Sequence, residues 1–255
     1  METGAITSYI DVAQVVLYAF WIFFAGLIYY LHQEDKREGY PLLSDRSDHV
    51  KVQGFPPIPS PKTFTLRDGS KYQAPPGNPD DREIAAVPSG LWPGAPLVPT
   101  GNPMVDGVGP AAWALRSDDP ELTAEDEHRI VPLRVAHDFF IAHRDPNPVG
   151  MEVVALDGYV AGDVREIWID RSEPAVRYLE VETVGGRTVL LPMQFVRIDS
   201  WNRKVKVVSI TAAQFADVPT IKSPDQVTRL EEDKITAYFA SGHLYATPQR
   251  QEPLI

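Results

Sequence analysis

Along this chain three textures of apolar and polar positions follow one another. Val12–Leu31 is a run of apolar residues whose only strongly polar member is Gln14. At about 1.5 Å of rise per residue, such a run crosses a hydrocarbon core of about 30 Å. No Lys or Arg precedes it, and Glu34-Asp35-Lys36-Arg37-Glu38 follows abruptly. One membrane-spanning helix is predicted there. Phe55–Pro110 then carries 13 of the chain's 24 prolines. Proline lacks an amide donor and fixes φ, so regular helix or sheet is not expected over most of that stretch. The exception is a short hairpin from Thr63-Phe64-Thr65-Leu66, turning at Asp68-Gly69. A disordered linker is one reading of the rest. Phe55, Phe64, Leu91, Trp92, Met104 and Trp113 are many large apolar groups for a free linker, so an extended segment along another protein's surface is expected.

From about Gly150 the pattern changes to strands. Val153–Leu156 meets Asp157-Gly158, read as a type I′ hairpin. Val160–Asp170, Val176–Val184, Arg187–Pro192, Phe195–Asp199 and Lys204–Ile210 follow, with a turn at Gly185-Gly186. Leu179 and Val181 alternate with Glu180 and Glu182, and Val205 and Val207 with Lys204 and Lys206, the period-two pattern of half-buried strands. Short strands with tight turns predict a small closed antiparallel barrel. Ser223-Pro224-Asp225-Gln226 reads as a capped helix start. Val227, Leu230, Ile235, Tyr238 and Phe239 continue the helix, Glu231-Glu232-Asp233 is a place for it to break, and Gly242 is its expected stop.

Charge settles how the span is used. A cleaved signal peptide needs a basic start and a shorter apolar stretch; Glu2 and Asp11 are the only charges before this one. A retained span is therefore expected. Lys36, Arg37, Arg46 and Lys51 cluster just beyond it, which places the residues after it in the cytoplasm. Tyr9 at one end and Tyr29 and Tyr30 at the other suit interfacial belts, and Trp21 lies mid-span, against lipid or a neighbouring helix. With 24 Lys+Arg against 35 Asp+Glu, the net charge of −11 argues against nucleic acid and against broad docking on anionic lipid. The chain has no cysteine, which removes disulfides, thiolate metal sites and cysteine nucleophiles.

No nucleophile elbow, phosphate loop, dinucleotide fingerprint or HExxH motif occurs. The six histidines form no close pair at metal-ligand spacing, so no metal site is expected. What stands out is clustered acid: Asp118, Asp119, Glu121 and Glu125-Asp126-Glu127 with His128; Asp170 and Glu173 beside Arg171 and Arg177; and Glu231-Glu232-Asp233. By composition alone this is a solvated acidic face. The sharper reading is a proton route, because neighbouring carboxylates raise one another's pKa and imidazole titrates near neutrality.

Several blocks resemble the H subunit of the purple-bacterial photosynthetic reaction centre, a PRC-barrel family. They include Phe20-Trp21-Ile22-Phe23, Gly26–Leu31, Arg37-Glu38-Gly39-Tyr40-Pro41-Leu42, Pro61-Lys62-Thr63-Phe64, Pro99–Met104 and Gly107–Ala111. Tyr178–Glu182, Leu191-Pro192-Met193, Val218–Ile221, Glu231–Lys234 and Leu244-Tyr245-Ala246 continue the likeness in order. The resemblance implies a single N-terminal transmembrane helix, then a mainly-β cytoplasmic PRC-type barrel with a short C-terminal helical segment. Its expected layout is a periplasmic 1–11, a transmembrane 12–31, an extended surface segment over 32–115 and a barrel domain with its helix over 116–255. The expected setting is the bacterial inner, intracytoplasmic photosynthetic membrane.

By the same resemblance the chain is a non-catalytic subunit that binds no pigment or quinone itself. The complex would carry bacteriochlorophyll, bacteriopheophytin, quinones, non-haem iron and carotenoid on other subunits. The implied partners are the L and M subunits, the light-harvesting ring, membrane lipids and a cytochrome subunit. The implied role is to cap L and M, shield the quinone sites and conduct protons to the secondary quinone. Carried over residue by residue, the proton route comprises Asp170, Glu173 and Arg177, an acid within Glu231-Glu232 (Glu231 being taken), and an entrance at Glu125, Asp126, Glu127 and His128. Some relatives have two histidines at that entrance where this chain has mostly carboxylates. Glu173 is expected to be partly buried, with Arg177 moderating its pKa. The rival readings are a membrane-tethered PRC-barrel adaptor of another complex and a tethered hydrolase using acids or His128.

Overall fold

A computed structural model describes residues 6, 10–44, 47–77, 80–92 and 94–251, without the side chains of 43–50. Glu2, Tyr9 and Arg46, which entered the charge and belt arguments, lie outside the described residues. The chain divides into two units, one of residues 1–81 with 92–94, the other of 82–91 with 95–255.

The first unit begins with α1 (Val12–Asp35), apolar as far as Leu31 and with no buried residue. Gln14 is polar for a local reason: it is the third residue of a capping box. Its amide donates to Asp11 Oδ1 (2.8 Å) and its side chain accepts the Asp11 amide. The helix runs four residues past Leu31, and this last polar turn is where the chain leaves the apolar run. Lys36 follows, 4 % exposed, its ammonium donating to the Gln53 and Pro56 carbonyls (2.7 and 2.8 Å). The hairpins β1 (Leu42–Ser44)–β2 (Ser47–Val52) and β3 (Lys62–Thr65)–β4 (Lys71–Ala74) complete the unit's regular structure. The second is the expected one, turning through Gly69 at φ +81°.

The second unit holds hairpin β5 (Ala86–Pro88)–β6 (Leu97–Pro99), the one-turn α2 (Pro103–Asp106), β7 (Ile130–Pro132), β8 (Glu152–Val154), β9 (Val160–Asp170), β10 (Ala175–Thr183), β11 (Thr188–Pro192), β12 (Val196–Asp199), β13 (Lys204–Val207) and α3 (Arg229–Tyr245). Its main sheet runs β11-β10-β9-β8-β13-β12, with β7 also on β9. All these pairings are antiparallel except β8 with β13, which is parallel. The two ends of that order are joined through Met193–Phe195, so the sheet bends back to bring them together. Leu179, Val181, Val205 and Val207 are buried as their alternation requires. Phe239 of α3 stacks on Phe195 and meets Phe215 edge-on, within the same core cluster as Trp168 and Ile167. Met104, Val108 and Ala111 of the proline-rich stretch are buried within this unit, while Phe55, Leu91 and Trp92 stay exposed.

Four local expectations are corrected. In the β8–β9 turn Gly158 is left-handed but Asp157 is not, so this is a type I turn closed by a left-handed glycine rather than type I′. Helix α3 starts at Thr228 rather than Ser223. Thr228 accepts the Glu231 amide while Glu231 accepts the Thr228 amide, a complete capping box. Ser223–Gln226 instead forms a turn held by Arg134, which bonds the Pro224 carbonyl and Asp225. The helix is unbroken through Glu231–Asp233 and passes Gly242, where a Cβ would overlap the Ser209 carbonyl.

Candidate functional site

Strand β7 was not legible as a strand, yet it assembles the site. Ile130 pairs with Asp170 across β9, and the Arg171 amide donates to the Arg129 carbonyl (2.9 Å). That register sets the Arg129 guanidinium against Asp170, which is fully buried at the end of β9. Nε lies 3.0 Å from each carboxylate oxygen and Nη2 2.9 Å from Oδ2. The Ser172 and Glu173 amides also donate to Asp170 Oδ1 (2.9 and 3.1 Å). Burial by itself pushes this carboxyl up, but Arg129 and the two amides outweigh it and hold Asp170 below the usual carboxylate range.

The same guanidinium reaches Glu121 (Nη1 to Oε2, 2.9 Å) and comes within 3.6 Å of Glu173. The Glu173 side chain is 73 % exposed on this chain and pairs with Arg129 rather than Arg177. The loop Glu125-Asp126-Glu127-His128 is exposed and joins this cluster through Arg171, which bonds Glu127 (3.0 Å) and the His128 carbonyl.

Arg177 lines a cavity of about 310 Å³ together with Glu121, Tyr178, Gln194 and Glu232. There the Tyr178 hydroxyl donates to Glu232 Oε2 (2.8 Å). Burial pushes the Glu232 carboxyl up; the Tyr178 hydrogen bond and Arg177 pull the other way without overcoming it. Tyr178 is likewise raised, by burial and by the facing carboxylate. Glu231, one residue earlier, points elsewhere: its oxygens accept the Lys222 and Thr228 amides, both at 2.9 Å.

Most of the remaining acids are paired within the chain. Asp118 bonds Lys222 and the Thr228 hydroxyl, Asp119 bonds Arg229, and Asp233 accepts the Ala114 amide. Among the described residues no group of three or more His, Asp or Glu could hold a metal ion. Sequence reasoning missed Arg129 and Tyr178, and took Glu231 where Glu232 is the one that lines the cavity. The only available signal was the short Ile130-Val131 pair behind Arg129, too brief to declare a strand.

Comparison with known families agrees with this architecture. Residues 140–214 match the PRC-barrel domain. Residues 4–135 match the photosynthetic reaction centre H-chain N-terminal region, a match that includes α1 and the Glu121–Arg129 segment and covers a little over half of the chain. The chain therefore belongs to the reaction-centre H-chain family.

Proposed function

We propose that this chain caps the L and M subunits of a photosynthetic reaction centre on the cytoplasmic face, shields their quinone sites and conducts protons to the secondary quinone. In this reading 1–11 are periplasmic, 12–31 cross the photosynthetic membrane, 32–115 form an extended surface segment and 116–255 form the cap. The chain is accessory rather than catalytic, and the pigments, quinones, iron and carotenoid belong to other subunits. The H-chain match over 4–135 favours this over an adaptor of another complex.

A quinone reduced by two electrons takes up two protons, which must cross the cap on groups within hydrogen-bond reach of one another or of water. Glu125, Asp126, Glu127 and His128 collect protons at the surface. Asp170 stays ionised beside Arg129, and with Glu121 and Glu173 on the same guanidinium the acids outnumber the cation and draw protons inward. Glu173, exposed on the chain alone, faces the partner subunits. Within Glu231-Glu232 the second residue is the better carrier, because both oxygens of Glu231 already accept amides while Glu232 has a raised affinity for protons.

One observation carries the proposal: Glu121 bonds Arg129 in the Asp170 cluster and also lines the Glu232 cavity, so the two groups of acids share a member. Flash-induced proton uptake in the assembled complex, followed with a pH-indicating dye, tests it. Glu173→Gln combined with Glu232→Gln should slow uptake while leaving primary charge separation unchanged. Uptake at the native rate would remove the proton-route reading.

A further inference from the structure

The β3–β4 hairpin has two unlike faces. Lys62 pairs with Ala74 and Phe64 with Tyr72, so these four share a face; Thr63, Thr65, Lys71 and Gln73 make the other. Phe64 and Tyr72 are each about half exposed, as is Leu66 at the next position of the same alternation. A two-stranded hairpin with a bare apolar face is at best marginally stable in water, so this face calls for a covering surface.

Its position says what kind. The Lys62 ammonium, on the apolar face, is 2.5 Å from Glu34 near the end of α1. Glu34 is three residues past Leu31, about 4.5 Å along the helix, and the headgroup layer is about 5–7 Å deep on each side. If α1 crosses the bilayer, this end of the hairpin therefore stands at the height of the headgroup layer. Two other rings stand in the same unit, Tyr29 of α1 and Phe55, with centroids 6.0 Å apart, and aromatic side chains favour that depth. Charge agrees as well. In a chain of net charge −11, residues 62–74 hold three basic side chains, Lys62, Arg67 and Lys71, against one acid, Asp68. Long basic side chains reach headgroups from the rim or from the far face of so thin an element.

We infer that the β3–β4 hairpin is a binding site for anionic lipid headgroups, laid flat on the leaflet that α1 leaves, with Phe64, Leu66 and Tyr72 inserted and Arg67 and Lys71 drawing the negative charge. The inference rests on α1 crossing the bilayer. It differs from broad docking of the acidic domain, being confined to one hairpin.

The absence of cysteine allows single nitroxide labels on the full chain in nanodiscs. Labels at Leu66→Cys, at Ile22→Cys in α1 and at Val184→Cys, a 78 % exposed turn residue, are compared by their accessibility to oxygen and to a water-soluble nickel chelate. In phosphatidylcholine with phosphatidylglycerol, the Leu66 label should show an oxygen-to-nickel ratio several-fold above Val184 and below Ile22. Omitting phosphatidylglycerol, or adding Lys71→Glu, should bring it toward Val184. A Leu66 ratio equal to Val184 in both lipids would overturn the inference while the Ile22 value upheld the span. A Leu66 label shielded from both reagents in the assembled complex would overturn it in favour of a protein contact. A water-accessible Ile22 label would overturn the span itself.

Discussion

Arg129 closes on Asp170 through both carboxylate oxygens, and the same guanidinium bonds Glu121. One cation thus holds a fully buried acid and an acid of the neighbouring cavity. Asp170→Asn should cost about 3 kcal/mol, the usual consequence of breaking a buried ion pair from one side. The folded-state pKa of Asp170 is depressed, so its contribution is present above the ordinary carboxylate pKa of about 4. It is lost as pH falls through the depressed value. Thermal melts of the detergent-solubilised chain should therefore show a wide gap between native and variant at neutral pH that narrows in acid.

Glu232 has the opposite sign. Its folded-state pKa is raised, so it favours the fold below the unfolded carboxylate value and that advantage is lost as pH rises through the folded value. Glu232→Gln keeps an acceptor for the Tyr178 hydroxyl and removes the buried charge. The variant should melt a few degrees higher than the native chain at pH 8, with the difference shrinking toward pH 4; a melt that drops at pH 8 would contradict the assignment.

The start of α3 is open to a direct comparison. Thr228→Ala should cost about 1 kcal/mol, the usual worth of a cap. Ser223→Ala, in the turn before it, should stay within about 0.5 kcal/mol of the native chain. Equal losses in denaturant unfolding would mean that the cap is shared between them.

Gly242 packs against the Ser209 carbonyl and the Ile210 side chain. Gly242→Ala should cost about 2 kcal/mol through overpacking, despite alanine's better helix propensity. Stabilisation in the same melts would contradict the close approach.

The spanning helix could be read from its unbroken apolar run and the β3–β4 hairpin from its Asp68-Gly69 turn, while Leu179, Val181, Val205 and Val207 could be read from their period-two alternation and are buried as it requires. The helix start was misread because Ser-x-x-Gln at 223–226 and Thr-x-x-Glu at 228–231 offer similar local chemistry, and Arg134, 90 residues away, decides between them. Asp170 and Glu173 could be named through the resemblance, yet their cation could not. Arg129 reaches Asp170 only through the three-residue β7, whose pairing is long-range and leaves almost no periodic trace. Glu231 and Glu232 are neighbours in sequence, and only helix geometry sends one to the cap and the other to the cavity.

The central claim is that acids of this chain deliver protons to a quinone held by its partners. Second-electron transfer after paired flashes, in the assembled complex carrying Glu173→Gln, tests it most directly. Across about pH 6 to 9, where carboxylate and imidazole relays exchange protons, the second transfer should slow about tenfold or more, with charge separation after the first flash unaltered. Second-electron kinetics unchanged over that whole range would contradict it.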